Sequence, residues 1–119
     1  MGCKRVLVIE DDPAVRESIQ DALEIQGYEI ATAGDGQEAI ERLNSIDGHP
    51  CVILLDMMMP GMNGWQFLDY QRSRPEFAGI PVVVCSALTE TARSVKPAAF
   101  IPKPVELKVL VQAVKAFCA

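Results

Sequence analysis

The sequence predicts an α/β fold, a doubly wound, five-stranded parallel sheet with helices on both faces. Three observations predict it. Five short runs of strand character alternate with helical patterns along 119 residues. Three of those runs are almost wholly apolar, as strands covered on both faces must be. Half of the residues are hydrophobic, 23% charged and only 6% aromatic, the composition of a chain with a real core and not of a disordered tail.

The first strand is expected over Arg5 to Ile9. Asp12-Pro13 then supplies an N-cap with proline at the first helical position. Val15, Ile19, Ala22 and Leu23 form one apolar stripe, and Gly27 stops the helix. Tyr28 to Ala33 reads as the second strand. Asp35, with Glu38 three residues on, resembles a capping box for a helix burying Ala39, Ile40 and Leu43. After the turn Asp47-Gly48-His49-Pro50 comes the third strand, Cys51 to Leu55. A third helix begins near Gly64 and buries Trp65 or Phe67 with Leu68. Pro81 to Cys85 and Ala99 to Ile101 are the fourth and fifth strands, and a last helix carries Leu107, Leu110, Val111, Val114 and Phe117. Such alternation calls for right-handed crossovers. No internal repeat, linker or low-complexity segment interrupts it, so residues 1–119 are expected to form one domain.

Composition also excludes functions. Eleven Lys plus Arg against sixteen Asp plus Glu give a net charge of −5, which offers no basic footprint for a nucleic-acid backbone. The longest apolar run falls far short of the roughly 20 residues of a membrane span, and the N-terminus lacks a signal-peptide stretch. A cytoplasmic location is expected. Cys3, Cys51, Cys85 and Cys118 include no Cys-x-x-Cys pair, and Cys51 and Cys85 lie inside apolar runs. All four are expected to be reduced and structural. The sole histidine, His49, is expected to be an ordinary turn residue, because one His cannot make a metal site.

In doubly wound sheets ligands bind beyond the carboxyl ends of the strands, at the topological switch point. What this sequence places there is acid: Glu10, Asp11 and Asp12 follow the first strand, and Asp56 follows the third. Two unit charges about 4 Å apart repel by roughly 4 kcal/mol at an effective dielectric of 20, so something cationic should compensate them. An oxygen-only cluster with open positions suits Mg²⁺. Asp12 is more simply read as a helix cap. A carboxylate beside a metal is also a nucleophile toward phosphorus, and Asp56 is the best placed. Lys103, just after the fifth strand, can balance phosphoryl charge, and Ser86, after the fourth, offers a hydroxyl.

With these residues in view, the sequence resembles the receiver domain of two-component response regulators over essentially the whole chain. Val6-Leu7-Val8-Ile9-Glu10-Asp11-Asp12-Pro13 is similar to the family's opening strand and acid pair. Leu54-Leu55-Asp56-Met57-Met58-Met59-Pro60-Gly61-Met62-Asn63-Gly64 resembles its phosphoacceptor loop. Ser86-Ala87 matches its Ser/Thr position, Lys103-Pro104 its Lys-Pro, usually cis, and Phe100 its aromatic switch position, where Tyr is commoner. The resemblance implies a flavodoxin-like sheet, a phosphoacceptor at Asp56, and Mg²⁺ (or Mn²⁺) held by Glu10, Asp11, Asp56 and the Met58 carbonyl. In that metal group the resemblance gives Glu10 a part only through water; it further implies a sensor histidine kinase or histidine phosphotransfer protein as donor and a separate downstream protein as target. The interval from Ser86 to Lys103 is shorter than the family's, leaving a fourth helix of roughly two turns between Thr89 and Lys96. With Glu90 and Arg93 as its only charges, a monomer is expected.

The enzyme alternative, a phosphohydrolase with an aspartyl phosphate, needs a second acid two residues after its nucleophile, where Met58 stands. A flavin carrier needs a phosphate loop rich in Ser, Thr and Gly, not Glu10-Asp11-Asp12, and no P-loop motif occurs. The remaining alternatives are a receiver-like interaction module that is not phosphorylated, or the receiver part of a longer regulator. The reading adopted is a signalling phosphoacceptor whose own residues promote its phosphorylation and dephosphorylation.

Overall fold

The computed structural model describes residues 4–45, 48–59, 61–87 and 94–118. Five strands, β1 (Arg5–Ile9), β2 (Glu29–Ala33), β3 (Val52–Asp56), β4 (Val82–Ser86) and β5 (Ala99–Pro102), form one sheet in the order β2-β1-β3-β4-β5. Every pairing is parallel, with Val6 opposite Ile30 and Val52, and Leu54 opposite Val83. The helices of the described residues are α1 (Pro13–Ile25), α2 (Gly36–Ser45), α3 (Gly64–Ser73), α4 (Pro75–Ala78) and α5 (Leu107–Phe117).

The alternation of side chains along each strand divides the core in two. Leu7, Ile9, Ile53, Leu55, Val82 and Val84 face Ala39, Leu43, Phe67, Leu68 and Phe77 on the α2–α4 side. Val6, Val8, Val52, Leu54, Val83 and Cys85 face Ile19, Leu23, Leu110 and Val114 on the α1 and α5 side. β1, β3 and β4 are buried at nearly every position, which is why their sequences carry no polar alternation. Each fully buried Leu, Ile or Phe contributes roughly 1.5–3 kcal/mol; truncating Phe67, wholly buried, should cost about 3–5 kcal/mol.

Local signals place the helices. The Asp12 side chain accepts from the Ala14 and Val15 amides, capping α1 as expected, and Gly27 after its end has φ +93°, a left-handed conformation that favours glycine. Asn63 and Gln66 form a capping box at the start of α3, a pair that the sequence reading did not single out. Phe67 and Leu68 take the buried positions there, and Trp65 is only partly buried. Pro75 ends α3 and opens the separate α4. Buried Gln71 ties the two together by donating Nε2 to the Phe77 and Ile80 carbonyls. The shortened fourth helix expected between Thr89 and Lys96 falls mostly outside the described residues.

One expectation is overturned. Cys51 and Cys118 are joined in a disulfide, with Cα atoms 5.5 Å apart at a sequence separation of 67. Sequence spacing gave no hint of it, because only the folded sheet brings the start of β3 beside the end of α5. Cys85 is free and buried as expected. The His49 ring meets Phe77 edge-on at 5.3 Å, a packing role.

Candidate functional site

The sheet order reverses between β1 and β3, so the loops leaving their carboxyl ends diverge and open a crevice. Glu10 follows β1 directly, Asp56 is the last residue of β3, and Ser86 is the last residue of β4. Lys103 follows β5 directly, and its amide donates to the Ser86 carbonyl at 3.1 Å. Four strand ends thus bear polar residues on one edge of the sheet, and the side chains of Glu10, Asp56 and Lys103 meet there.

Lys103 joins the two buried acids. Its Nζ stands 2.7 Å from Glu10 Oε1 and 3.3 Å from Asp56 Oδ2. Glu10 and Asp56 are 3% and 4% exposed, so neither carboxylate is well hydrated and the ammonium takes the place of solvent. Asp11 completes a group in which one carboxylate oxygen from each of Glu10, Asp11 and Asp56 lies within 4.8 Å of the others. One ammonium bonded to two members of a group of three carboxylates leaves negative charge uncompensated. Burial and the neighbouring Asp56 push the Glu10 carboxyl up from 4.5 to about 7, against the pull of Lys103. Burial alone would lower the Lys103 ammonium, but Glu10 and then Asp56 outweigh it and hold it above its ordinary value. Hard oxygen donors, a partial charge deficit and no histidine or thiolate in the group fit a divalent cation such as Mg²⁺.

The main chain around these groups is braced. Arg16, one turn into α1, donates Nη1 to the Glu10 carbonyl at 2.9 Å and fixes the turn that bears Glu10 and Asp11. The Met58 amide donates to Asp56 Oδ1 at 3.1 Å, placing the Met58 peptide against the Asp56 carboxylate while its side chain remains exposed. The Gly64 amide donates to the Met57 carbonyl, and a Cβ at Gly64 would lie 2.6 Å from the Met57 Cα. Only glycine lets α3 begin so close to the loop that follows Asp56. Gly36 is equally confined, its absent Cβ 2.8 Å from the Met62 carbonyl oxygen.

The structure therefore brings together Glu10, Asp11, Asp56, the Met58 main chain and Lys103, with Ser86 at the adjoining strand end. Phe100 lies on β5, half-buried against the α2–α4 side of the core. Asp12 belongs to the helix cap. The Lys103–Pro104 bond is cis, as the motif implied. Sequence reasoning missed the brace from Arg16. Its signal was an arginine one helical turn beyond the N-cap, too common a pattern to stand out.

Comparisons with known proteins agree with this geometry. The family model described as the response regulator receiver domain matches residues 6–115, and the chain belongs to that family. It is 34% identical over 118 residues to the DNA-binding response regulator MtrA of Mycolicibacterium smegmatis, covering 95% of this chain and 50% of that protein. The chain spans about half the length of such relatives. Among solved structures, the signal receiver domain of a signal transduction histidine kinase from Syntrophus aciditrophicus superposes with a TM-score of 0.84. Its identity is 29%, over 97% of this chain and 89% of that one. The chemotaxis response regulator CheY4 of Vibrio cholerae, at 24% identity and a TM-score of 0.86 over 97% and 98% of the two chains, shares the fold. The protein is accordingly a receiver of the two-component signalling class. No helix among the described residues is long and apolar enough to cross a membrane.

Proposed function

We propose that the chain is a phosphoacceptor switch, taking a phosphoryl group from a phosphohistidine onto Asp56. The observation that carries this reading is the Lys103 ammonium held between Glu10 and Asp56 at the carboxyl ends of the strands. A carboxylate oxygen of Asp56 attacks phosphorus as the donor's N–P bond breaks, leaving imidazole on the donor and an acyl phosphate on Asp56. Little covalent help is required. Positioning and charge neutralisation supply the acceleration, and Lys103, 3.3 Å from Asp56 Oδ2, can balance charge on the phosphoryl oxygens. Mg²⁺, or Mn²⁺, held by Asp11, Asp56 and the Met58 carbonyl, with Glu10 helping through water, would supply further neutralisation when bound.

The added phosphoryl group brings acceptors that Ser86 and Lys103 can approach, which biases the β4 end at Ser86 and the Phe100 side chain toward a second arrangement. Hydrolysis by water resets the switch, and no other substrate is turned over. The donor is a sensor histidine kinase or a histidine phosphotransfer protein in the cytoplasm, and the target is a separate protein. The 119 residues act as one receiver unit, monomeric, without direct nucleic-acid contact at a net charge of −5. Incubation with Mg²⁺ and a small phosphodonor tests the reading. One phosphoryl group should be gained per chain, and Asp56→Asn should gain none; equal labelling of the variant would exclude Asp56 as acceptor.

A further inference from the structure

The disulfide lies at the end of the sheet opposite the acid site. Cys51 immediately precedes β3 and Cys118 immediately follows α5, whereas Asp56 and Lys103 sit at the carboxyl ends of β3 and β5. Main-chain bonds that owe nothing to the sulfurs place both cysteines. The Cys51 amide donates to the Arg5 carbonyl at 2.9 Å, and the Cys118 amide donates to the Val114 carbonyl at 2.8 Å. The Tyr28 hydroxyl donates to the Cys118 carbonyl at 3.4 Å. A domain of this size with two continuous core layers does not need a staple to fold. If the bond is opened, the two thiols therefore remain within reach of each other.

Access is one-sided. Cys118 is 2% exposed, while Cys51 is half-buried at the start of its strand. Cys85, the free thiol of the described residues, lies on the α1 and α5 side of the core. Burial pushes it up to about 12, so it is a poor exchange partner.

We propose that Cys51 and Cys118 form a redox-active dithiol/disulfide site, a second covalent switch that clasps the last turn of α5 to the sheet independently of phosphorylation. A thiolate of a dithiol reductant attacks Cys51 Sγ. The Cys51–Cys118 bond breaks, and Cys118 leaves as a thiolate that takes a proton from water. The reductant's second thiol then displaces Cys51, so that two electrons pass to the protein and the reductant ends as a disulfide. An oxidised dithiol or glutathione disulfide runs the exchange backwards. In the reduced form the α5 terminus keeps the Tyr28 and Val114 hydrogen bonds but loses its covalent tie.

The test equilibrates the full chain in glutathione buffers of graded poise, quenches in acid, alkylates, and maps each cysteine by peptide mass spectrometry. Cys51 and Cys118 should become protected together in one two-electron transition. Reduction should speed amide exchange over residues 114–118 by about tenfold, as expected of local opening, and leave β1 and β3 unchanged. Phosphoryl uptake at Asp56 should be the same in both states, so failure of the clasp and failure of the phosphoacceptor reading are separable. Cys51→Ser, at the half-buried position, should abolish the redox dependence of α5 exchange. Separate titration of the two cysteines, pairing of either with Cys3, or α5 exchange indifferent to poise would overturn the proposal.

Discussion

Glu10 makes the stability of the metal-free protein depend on pH in an unusual direction. Its carboxyl, buried beside Asp56, is raised from 4.5 to about 7. Between those values the folded chain holds a proton that the unfolded chain has released. Unfolding therefore releases a proton, and stability falls as pH rises through that window. At about 1.4 kcal/mol per tenfold change in proton affinity, the full effect is about 3 kcal/mol. Lys103 adds nothing to this slope, since its raised value acts only above 10.5. Urea titrations in EDTA at pH 5, 6, 7 and 8 should show stability declining toward pH 8. Glu10→Gln, which keeps the side chain's volume without its charge, should flatten the profile and gain up to about 3 kcal/mol at pH 8. A wild-type profile that is flat or rising between pH 5 and 7, or an unchanged slope in the variant, would refute the reasoning.

Three further outcomes follow from particular contacts. Gly64→Ala should destabilise by about 1–3 kcal/mol, the cost of overpacking, because its Cβ meets backbone at Met57; Gly79→Ala, with open space around it, should be near neutral by thermal melting. Lys103→Ala should still accept some phosphoryl but lose the change in amide exchange that phosphorylation brings to the β4 end near Ser86. A full response there would remove Lys103 from the switch. Light scattering at micromolar concentration should report a monomer with and without phosphate, and a dimer appearing only on phosphorylation would contradict that expectation.

Much of the fold was legible because the two periodicities are clear. Val6 to Ile9 and Val82 to Cys85 are apolar at successive positions and lie in a sheet covered on both faces, while Val15, Ile19 and Leu23 recur at helical spacing. The strand ends shifted by a residue: β3 and β4 extend to Asp56 and Ser86, since main-chain pairing continues where the apolar pattern stops. The acid group was legible for the same reason as the strands, each candidate residue standing at the boundary of a readable run. What could not be read depends on distance through space. The Lys103 contact with Glu10 spans 93 residues, and the Cys51–Cys118 bond joins elements related only through the sheet order.

Chemical trapping of the phosphorylated residue tests the central claim most directly. An acyl phosphate is reduced by borohydride to the corresponding alcohol, which marks the acceptor for peptide sequencing after treatment with Mg²⁺ and a small phosphodonor. The mark should fall on Asp56, depend on Mg²⁺ and be lost in Asp56→Asn. A mark on Asp11 or Glu10 in the wild-type chain, or incorporation stable to borohydride as on a serine, would contradict the assignment of Asp56 as the phosphoacceptor.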